Sequence, residues 1–469
     1  DPALQVLADC FAPVCTLVGK TWGLHLEKVV KVSREENLAM IGESIAFLVA
    51  AGKRALYDAE HFFDGYEDDR EYAMACLRAA AQAGAETVVC CDTNGGTLPD
   101  RLSEVMASVV RSLQPTGVRV GIHCHDDAGC GVANTLAAVV AGATHVQGTI
   151  NGYGERCGNA NLSVIIPNLE LKLGFRVLGA ERLREVSELS HFVAEVANLS
   201  PDAHMAYVGK SAFAHKGGVH VAAMRRNAES YQHVAPELVG NTMRVVVSEL
   251  SGRGNVLAKA EEMGLEVSAG TEVEALREIK EAEARGLSYE GAEASVALLL
   301  QRKADDYVPL FQVVDYQIQV GKRRGTETFA EAVVKVQVGG NTLHTAAEGN
   351  GPVSALDGAL RKALSPHYPA VNDIHLADYK VRILDGTEGT EAITRVLIDS
   401  RDAHRTWSTV GASSNIIEAS MHALVDSIEY GLIQSGSVLP EGQVDSRPRA
   451  GGRGTSTPPK TDETVEAGS

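Results

Sequence analysis

Basic charge is what this chain is short of. Its 469 residues carry 43 Lys and Arg against 61 Asp and Glu, for a formal net charge of −18. A surface of that sign repels phosphate backbones and anionic headgroups, which argues against nucleic acid or a membrane surface as partner. Long apolar runs are missing too: no stretch approaches the roughly 18 uninterrupted apolar residues of a spanning helix. No basic segment followed by an apolar one reads as a secretion signal. Cysteine is sparse and confined, with all eight between Cys10 and Cys157 and no two forming a C-x-x-C pair. That pattern suits free thiols in a reducing cytoplasm and does not suit a disulfide framework. An initiating Met is absent as well. The chain opens Asp1-Pro2-Ala3 and enters a helix-like run and a strand at once, as a piece whose beginning lies elsewhere would.

What is present is an ordinary globular composition, 45% hydrophobic and 22% charged, over a length that predicts two or three domains. Five βα units can be read in the first third. Strands are expected over 13–18, 54–57, 87–91, 118–125 and 145–150, with 3.6-periodic helices such as 38–51 and 71–83 between them. Spacings near 30 residues are those of βαβ units and predict a parallel sheet buried on both faces. Every strand ends in polar residues: Gly19-Lys20, Asp58-Ala59-Glu60-His61, Asp92-Thr93-Asn94, His125-Asp126-Asp127 and Asn151-Gly152. Chemistry at the C-terminal end of all five strands suggests an α/β fold of the TIM-barrel kind, since a doubly wound sheet gathers its site at one switch point. A (β/α)8 barrel takes eight strands and five are legible, so its first three βα units are expected to be absent from the chain.

From 173 the pattern turns helical, with stretches over 181–197, 272–285 and 290–301 and a Gly/His-rich segment over 207–234. From Tyr307 it alternates with period two, most clearly over 313–320 and 331–338. This last region repeats itself at an offset of about 62 to 64 residues: EAVVKVQVGG then TLHTAAEGNGPVSALDGALRKAL is echoed by AITRVLIDS then RTWSTVGASSNIIEASMHALVDSI. In each half a Gly-containing turn, Gly349-Asn350-Gly351 or Gly411-Ala412-Ser413, opens an amphipathic helix with Ala at i and i+4. Two βββα halves with small residues on one helix face predict a pseudo-twofold α+β domain that packs on itself or on a copy. The turns at Gly349, Gly351, Gly411 and Ser413 offer backbone N–H groups to a carboxylate ligand. After Ser437 the chain is rich in Pro, Gly, Ser and Thr without periodicity and reads as a disordered tail. The expected domains are therefore a partial barrel over 1–172, helical linker subdomains over 173–305, a C-terminal pseudo-twofold domain over 306–436 and the tail over 437–469.

The densest chemistry lies over 118–161. Alternation points Val120, Ile122 and Cys124 to one face and His123 and His125 to the other, so one strand delivers two imidazoles to its C-terminal end. A lone His-x-His is more often packing than a ligand pair. Here the pair meets Asp126 and Asp127, and one βα unit later a Gly-rich loop ending Gly158-Asn159. Such a mixed N/O set suits a divalent cation left open to substrate. A zinc cage built on Cys124, Cys130 and Cys157 is the weaker alternative, because Cys124 points away from the histidines.

HCHDDAGCGVANTLAAVVAGATHVQGTINGYGERCGNANL, from His123, resembles a signature of the α-isopropylmalate, homocitrate and citramalate synthases. YDAEHFFDGYEDD, CDTNGGTLP, SAFAHKGGVHVAA and SELSGRGNV are more similar to the citramalate branch, and the C-terminal repeat looks like the family's allosteric and dimerisation domain. GYGERCG, by contrast, does not fit the G-x-G-x-x-G dinucleotide fingerprint. The resemblance implies a TIM-barrel enzyme using Mg²⁺ or Mn²⁺ to condense acetyl-CoA with pyruvate, in isoleucine biosynthesis, as a homodimer inhibited by a branched-chain amino acid such as isoleucine. The metal would be held by His123, His125 and, by resemblance, Asn159. Thr93 would donate to the pyruvate carboxylate, although an ordinary turn residue fits that position equally well. Glu60 matches a strand-end carboxylate of the family. His220, with Tyr231 as helper, matches a histidine that takes part in proton transfer.

The family's first barrel strand carries an Arg-Asp-Gly motif that supplies a further metal ligand and a catalytic Arg, and this sequence contains no such motif. Two alternatives therefore stand beside the citramalate reading: α-isopropylmalate synthase, with 2-oxoisovalerate as acceptor, and a non-catalytic regulatory chain.

Overall fold

Five strands of the first third lie parallel in a single sheet: β1 (Val14–Lys20), β2 (Arg54–Glu60), β3 (Thr87–Asp92), β4 (Arg119–Cys124) and β5 (His145–Gln147). Their order in the sheet is their order in the chain. Parallel crossovers are right-handed, so a sequential order lays every helix on the same face, as in a barrel, whereas a doubly wound sheet reverses and covers both. The computed structural model describes residues 2–439 apart from 225, 249–250, 263, 265–269, 305–306, 323–326 and 385–390. The expected tail therefore lies, from 440 on, outside the described residues.

The helix-covered face follows from side-chain period. Ile45 and Leu48 of the helix Arg34–Ala50, Ala73, Leu77 and Ala80 of Arg70–Gln82, and Leu102, Met106 and Val109 of Pro99–Leu113 recur every three or four residues. They pack on Ala55, Tyr57, Val88, Cys90, Val120, Ile122 and Cys124, the alternate residues of β2 to β4. Truncating Leu77 or Met106 to Ala would cost about 2–5 kcal/mol at such positions. Ser33 and Asp69 start two of these helices by accepting from the N–H groups of Glu36 and Tyr72 at 3.1 and 3.0 Å.

Two strands differ most from expectation. β2 runs on through Asp58 to Glu60, beyond the change to polar residues at which it was expected to stop. Pairing continues because Lys20 of β1 stands opposite Glu60 and meets it in an ion pair. β5 stops at Gln147, earlier than 150, and a 3-10 turn at Ile150–Gly152 follows in which Asn151 sits at φ +63°. The helical middle also contains short strands at Ala214–His215 and Arg244–Val245.

The described residues divide into two compact units, 2–215 with 222–244, and 216–221 with 245–439. In the second, β6 (Gln312–Lys322), β7 (Thr328–Val338) and β8 (Asn341–Gly349) form one antiparallel sheet, followed by the helix Pro352–Leu364. β9 (His375–Ile383), β10 (Thr394–Arg401) and β11 (Thr406–Ser413) form another, followed by Ile416–Gln434. Ala355, Ala359, Ala419 and Ala423 are wholly buried in their shared core. The helices Arg253–Glu262, Thr271–Ala284 and Glu293–Gln301 build a further core that includes Val410 of β11. Among the described residues no helix is long and apolar enough to cross a membrane.

Candidate active site

On the face of the sheet away from the helices, three strands bring Asp58, Cys91 and His123 together at their C-terminal ends, with one ligand atom of each within 4.8 Å of the others. The register explains it: Cys91 is paired with His123, and His123 with Gln147. One layer below, Gly121 makes room, because a Cβ there would lie 3.0 Å from both Val89 and His145. His123 Nδ1 is 2.8 Å from Gln147 Oε1, and Gln147 Nε2 donates to Asp58 Oδ1 at 3.0 Å. His123 Nε2 lies 3.0 Å from Asn159 Nδ2. Burial raises the Asp58 carboxyl above its ordinary range, opposed by the hydrogen bond from Gln147 and the charge of His123.

His123 and His125 leave β4 toward the same side, ring centres 5.3 Å apart, while Cys124 is buried among the helices. Asn159 reaches them from the next loop through backbone bonds. Its N–H donates to Gly152 O at 2.9 Å, Ala160 N–H donates to Cys124 O at 2.9 Å, and His125 and Asn159 form an isolated bridge. Gly158 turns the chain at φ +104°, where a Cβ would also strike Gly152 O at 2.1 Å. The three expected metal ligands are thus brought together.

Their chemistry fits a hard divalent cation. His125 Nδ1 is buried and has no hydrogen-bond partner among the described residues, and burial, then the charges of His123 and Arg156, lower its pKa and favour the neutral, ligating imidazole. Cys91 fits less well, since burial pushes its thiol well above the ordinary range and holds the proton on sulfur. Asp126 and Asp127 are committed elsewhere. Asp126 Oδ1 accepts from Gly131 N–H at 2.6 Å, at the start of a helix. Asp127 takes Arg156 in a two-point pair at 2.7 and 2.9 Å, and Arg156 also donates to Thr93 O at 2.7 Å. That clamp ties the loops after β3, β4 and β5 together.

Glu60 ends β2 in the pair with Lys20, and Thr21 Oγ1 donates to its carbonyl at 2.7 Å. Thr93 Oγ1 accepts from His61 N–H at 2.8 Å, which leaves its own proton to donate. His220 lies on the short helix Gly218–Met224, in the part of the chain assigned to the second unit, and Tyr231 falls in the first unit, 44% exposed. Gln147 and Asp58 were not among the expected site residues. The period-two pattern that aligned His123 and His125 would also have put His145 and Gln147 on one face of the next strand.

At the expected effector residues the turns prove different. Gly411 lies inside β11, not in a turn, and a Cβ on it would sit 2.0 Å from Ala419 O, so glycine serves close helix approach there. Gly349 ends β8 and presses on Ser354 and Ala355 in the same way. Gly351 does precede its helix, with extended backbone. Ser413 Oγ donates to Glu418 Oε2 at 2.5 Å and accepts from Asn415 N–H, while Asn415 Oδ1 caps Ile417 N–H at 2.9 Å.

Three family models match the chain: HMGL-like over 4–193, the homocitrate synthase post-HMGL domain-like over 207–286, and the LeuA allosteric (dimerisation) domain over 264–432. The (R)-citramalate synthase of Geobacter sulfurreducens is 50% identical over 93% of this chain and 82% of its own length. The chain belongs to the citramalate synthase family. The (R)-citramalate synthase of Synechocystis sp. is 51% identical over 92% of this chain and 81% of its own. A Methanopyrus kandleri protein described as "Probable 2-isopropylmalate synthase" is 32% identical over 91% and 82%. Citramalate synthases are condensing, acyl-transferring enzymes of the HMGL-like TIM-barrel fold with a LeuA-type dimerisation domain, and the chain is one of these.

Proposed function

We propose that the enzyme condenses acetyl-CoA with pyruvate to give (R)-citramalate and CoA, at the cluster of His123, His125 and Asn159. The observation that carries this is the convergence of two imidazoles, from β4 and the residue just after it, and a carboxamide from the loop after β5, with one buried imidazole nitrogen lacking a partner among the described residues. These residues would hold Mg²⁺ or Mn²⁺, which as a Lewis acid makes the keto carbon electrophilic. Thr93, its hydroxyl proton unclaimed by His61, would donate to the pyruvate carboxylate. A base takes a proton from the acetyl methyl, the carbanion adds to the keto carbon, the alkoxide takes a proton, and water cleaves the thioester. Glu60, held by Lys20, would orient the water or the acetyl group, and His220 with Tyr231 would move the protons.

Pyruvate is favoured over 2-oxoisovalerate by the fall from 50% to 32% identity between the citramalate synthase and the isopropylmalate synthase quoted above. Thiol release from acetyl-CoA should be faster with pyruvate, by about 10-fold or more, because a pocket shaped for methyl pays about 1–3 kcal/mol or more to take isopropyl. Faster release with 2-oxoisovalerate would overturn the acceptor. Mn²⁺ binding with no thiol release from either would favour a regulatory chain.

The C-terminal unit would act as dimerisation domain and sensor. Thr345 Oγ1 donates to Ala359 O at 2.8 Å and Thr409 Oγ1 to Ala423 O at 2.7 Å. Both pairs are 64 residues apart, which supports an internal βββα repeat. A cavity of 820 Å³ is lined by Gly411, Ala412 and Arg302, whose guanidinium pairs with Asp426 and Glu429 at 2.7 and 2.6 Å, and an amino acid such as isoleucine would bind there by exchanging its own charges into that network. Millimolar isoleucine should slow thiol release, and no effect would leave this unit a dimerisation domain only.

A further inference from the structure

The hydrogen-bonded line from Asp58 through Gln147 to His123 has a direction. A primary amide can face either way, and an imidazole can carry its proton on either nitrogen, so neither Gln147 nor His123 decides the pattern by itself. Asp58 decides it. A carboxylate only accepts, so the end of Gln147 that meets Asp58 Oδ1 at 3.0 Å is the NH2. The carbonyl end then faces His123 Nδ1 at 2.8 Å, and an oxygen there requires Nδ1–H. The lone pair is left on Nε2, the nitrogen 3.0 Å from Asn159. We propose that Asp58 and Gln147 are positioning residues, a carboxylate–amide relay that fixes His123 as the Nδ1–H tautomer and keeps Nε2 available to a divalent cation.

The relay runs across the sheet and not along the chain. Gln147 is set opposite His123 by the β4–β5 register, and Asp58 stands on β2, two strands from β4, where the inner face turns toward both. Ligating histidines commonly hand their second nitrogen to an oxygen that sets tautomer and ring plane. Here that oxygen belongs to an amide, which can be misread, and the carboxylate behind it removes the ambiguity. The competing role for Asp58 is as a ligand in its own right, since it also lies in the three-residue group with Cys91 and His123. The inference rests on the metal site proposed above, and its test separates the two.

The full chain, with ¹⁵N-labelled histidine, is studied by long-range ¹H–¹⁵N correlation without metal, and Mn²⁺ binding is titrated by EPR. His123, identified by the resonance lost in His123→Ala, should carry its proton on Nδ1. In Gln147→Leu, which has no acceptor, it should populate Nε2–H, and Mn²⁺ affinity should fall about 10- to 100-fold. Asp58→Asn, close to isosteric, should give a mixture of tautomers. Because Asp58 acts through Gln147, adding Asp58→Asn to Gln147→Leu should weaken Mn²⁺ binding by no more than about threefold further. A His123 that stays Nδ1–H in Gln147→Leu, with unchanged Mn²⁺ affinity, overturns the relay while leaving the metal site standing. Losses that multiply in the double variant overturn it in favour of Asp58 as a ligand. A wild-type chain that binds no Mn²⁺ overturns the metal site and the relay together.

Discussion

At the scale of single residues, the site depends on what its glycines leave out. A Cβ on Gly154 would lie 1.9 Å from Asn159 Oδ1 and 3.0 Å from its Cγ, so Gly154→Ala must push the carboxamide away from His123. Mn²⁺ affinity should fall about tenfold or more while the unfolding midpoint moves little, as a titration and a melting curve would show. Equal affinity would mean that Asn159 is not a ligand. His123→Ala or His125→Ala should cost more, about a thousandfold in condensation, because several kcal/mol of Lewis-acid stabilisation goes at about 1.36 kcal/mol per tenfold. His123 and His125 were legible because alternation along one strand is a local signal, and Asn159 came through the resemblance. Asp58 and Gln147 acquire their roles only from the pairing of separate strands, which period and composition within one strand do not report.

Elements were legible where burial dictated them and less so at their ends. β2 was expected to stop where polar residues began, yet Lys20 facing Glu60 carries the ladder three residues further. Gly411-Ala412-Ser413 has the composition of a turn, and the structure makes it the end of a strand pressed against a helix. The same glycine can supply either a backbone angle or a missing side chain, and sequence does not tell them apart. Gly411→Ala places a methyl 2.0 Å from Ala419 O and 3.0 Å from Ala423 N. It should destabilise the second unit by about 1–3 kcal/mol, read as a lower midpoint in urea. Had Gly411 served a turn with open space around it, the change would be close to neutral.

At the scale of the whole molecule, acid should weaken the first unit. His25, His125, His145, His191 and His233 all have lowered pKa values, with burial the first cause in each. A lowered histidine pKa means that the unfolded chain binds the proton first. Stability is therefore full above the unfolded value near 6.5 and is lost as pH falls below it. The thermal midpoint of this unit should drop between pH 7.5 and 5.5, and His145→Gln should make the decline shallower. A midpoint independent of pH over that range would mean that these rings are solvated. The α/β class and the two-part division of β content could be read from spacing and period, whereas the helices on one face follow from the strand order. The grouping of the middle segment could not, because its residues 222–244 join the first unit and its later helices the second.

Strand order that repeats chain order has a consequence for how the protein is made. Each of β2 to β5 pairs with the strand synthesised just before it, and each sheet of the second unit is likewise built from successive strands. A nascent chain leaving the ribosome N-terminus first always meets a finished edge and need not hold one open for a distant partner. Short separations between contacts favour fast assembly and shorten the exposure of Val88-Val89-Cys90 and similar apolar stretches. The clamp of Arg156 on Asp127 and Thr93, which spans three loops, can then form only after β5 has emerged. The end of the sheet that carries His123 and Asn159 would be the last part of the first third to become rigid.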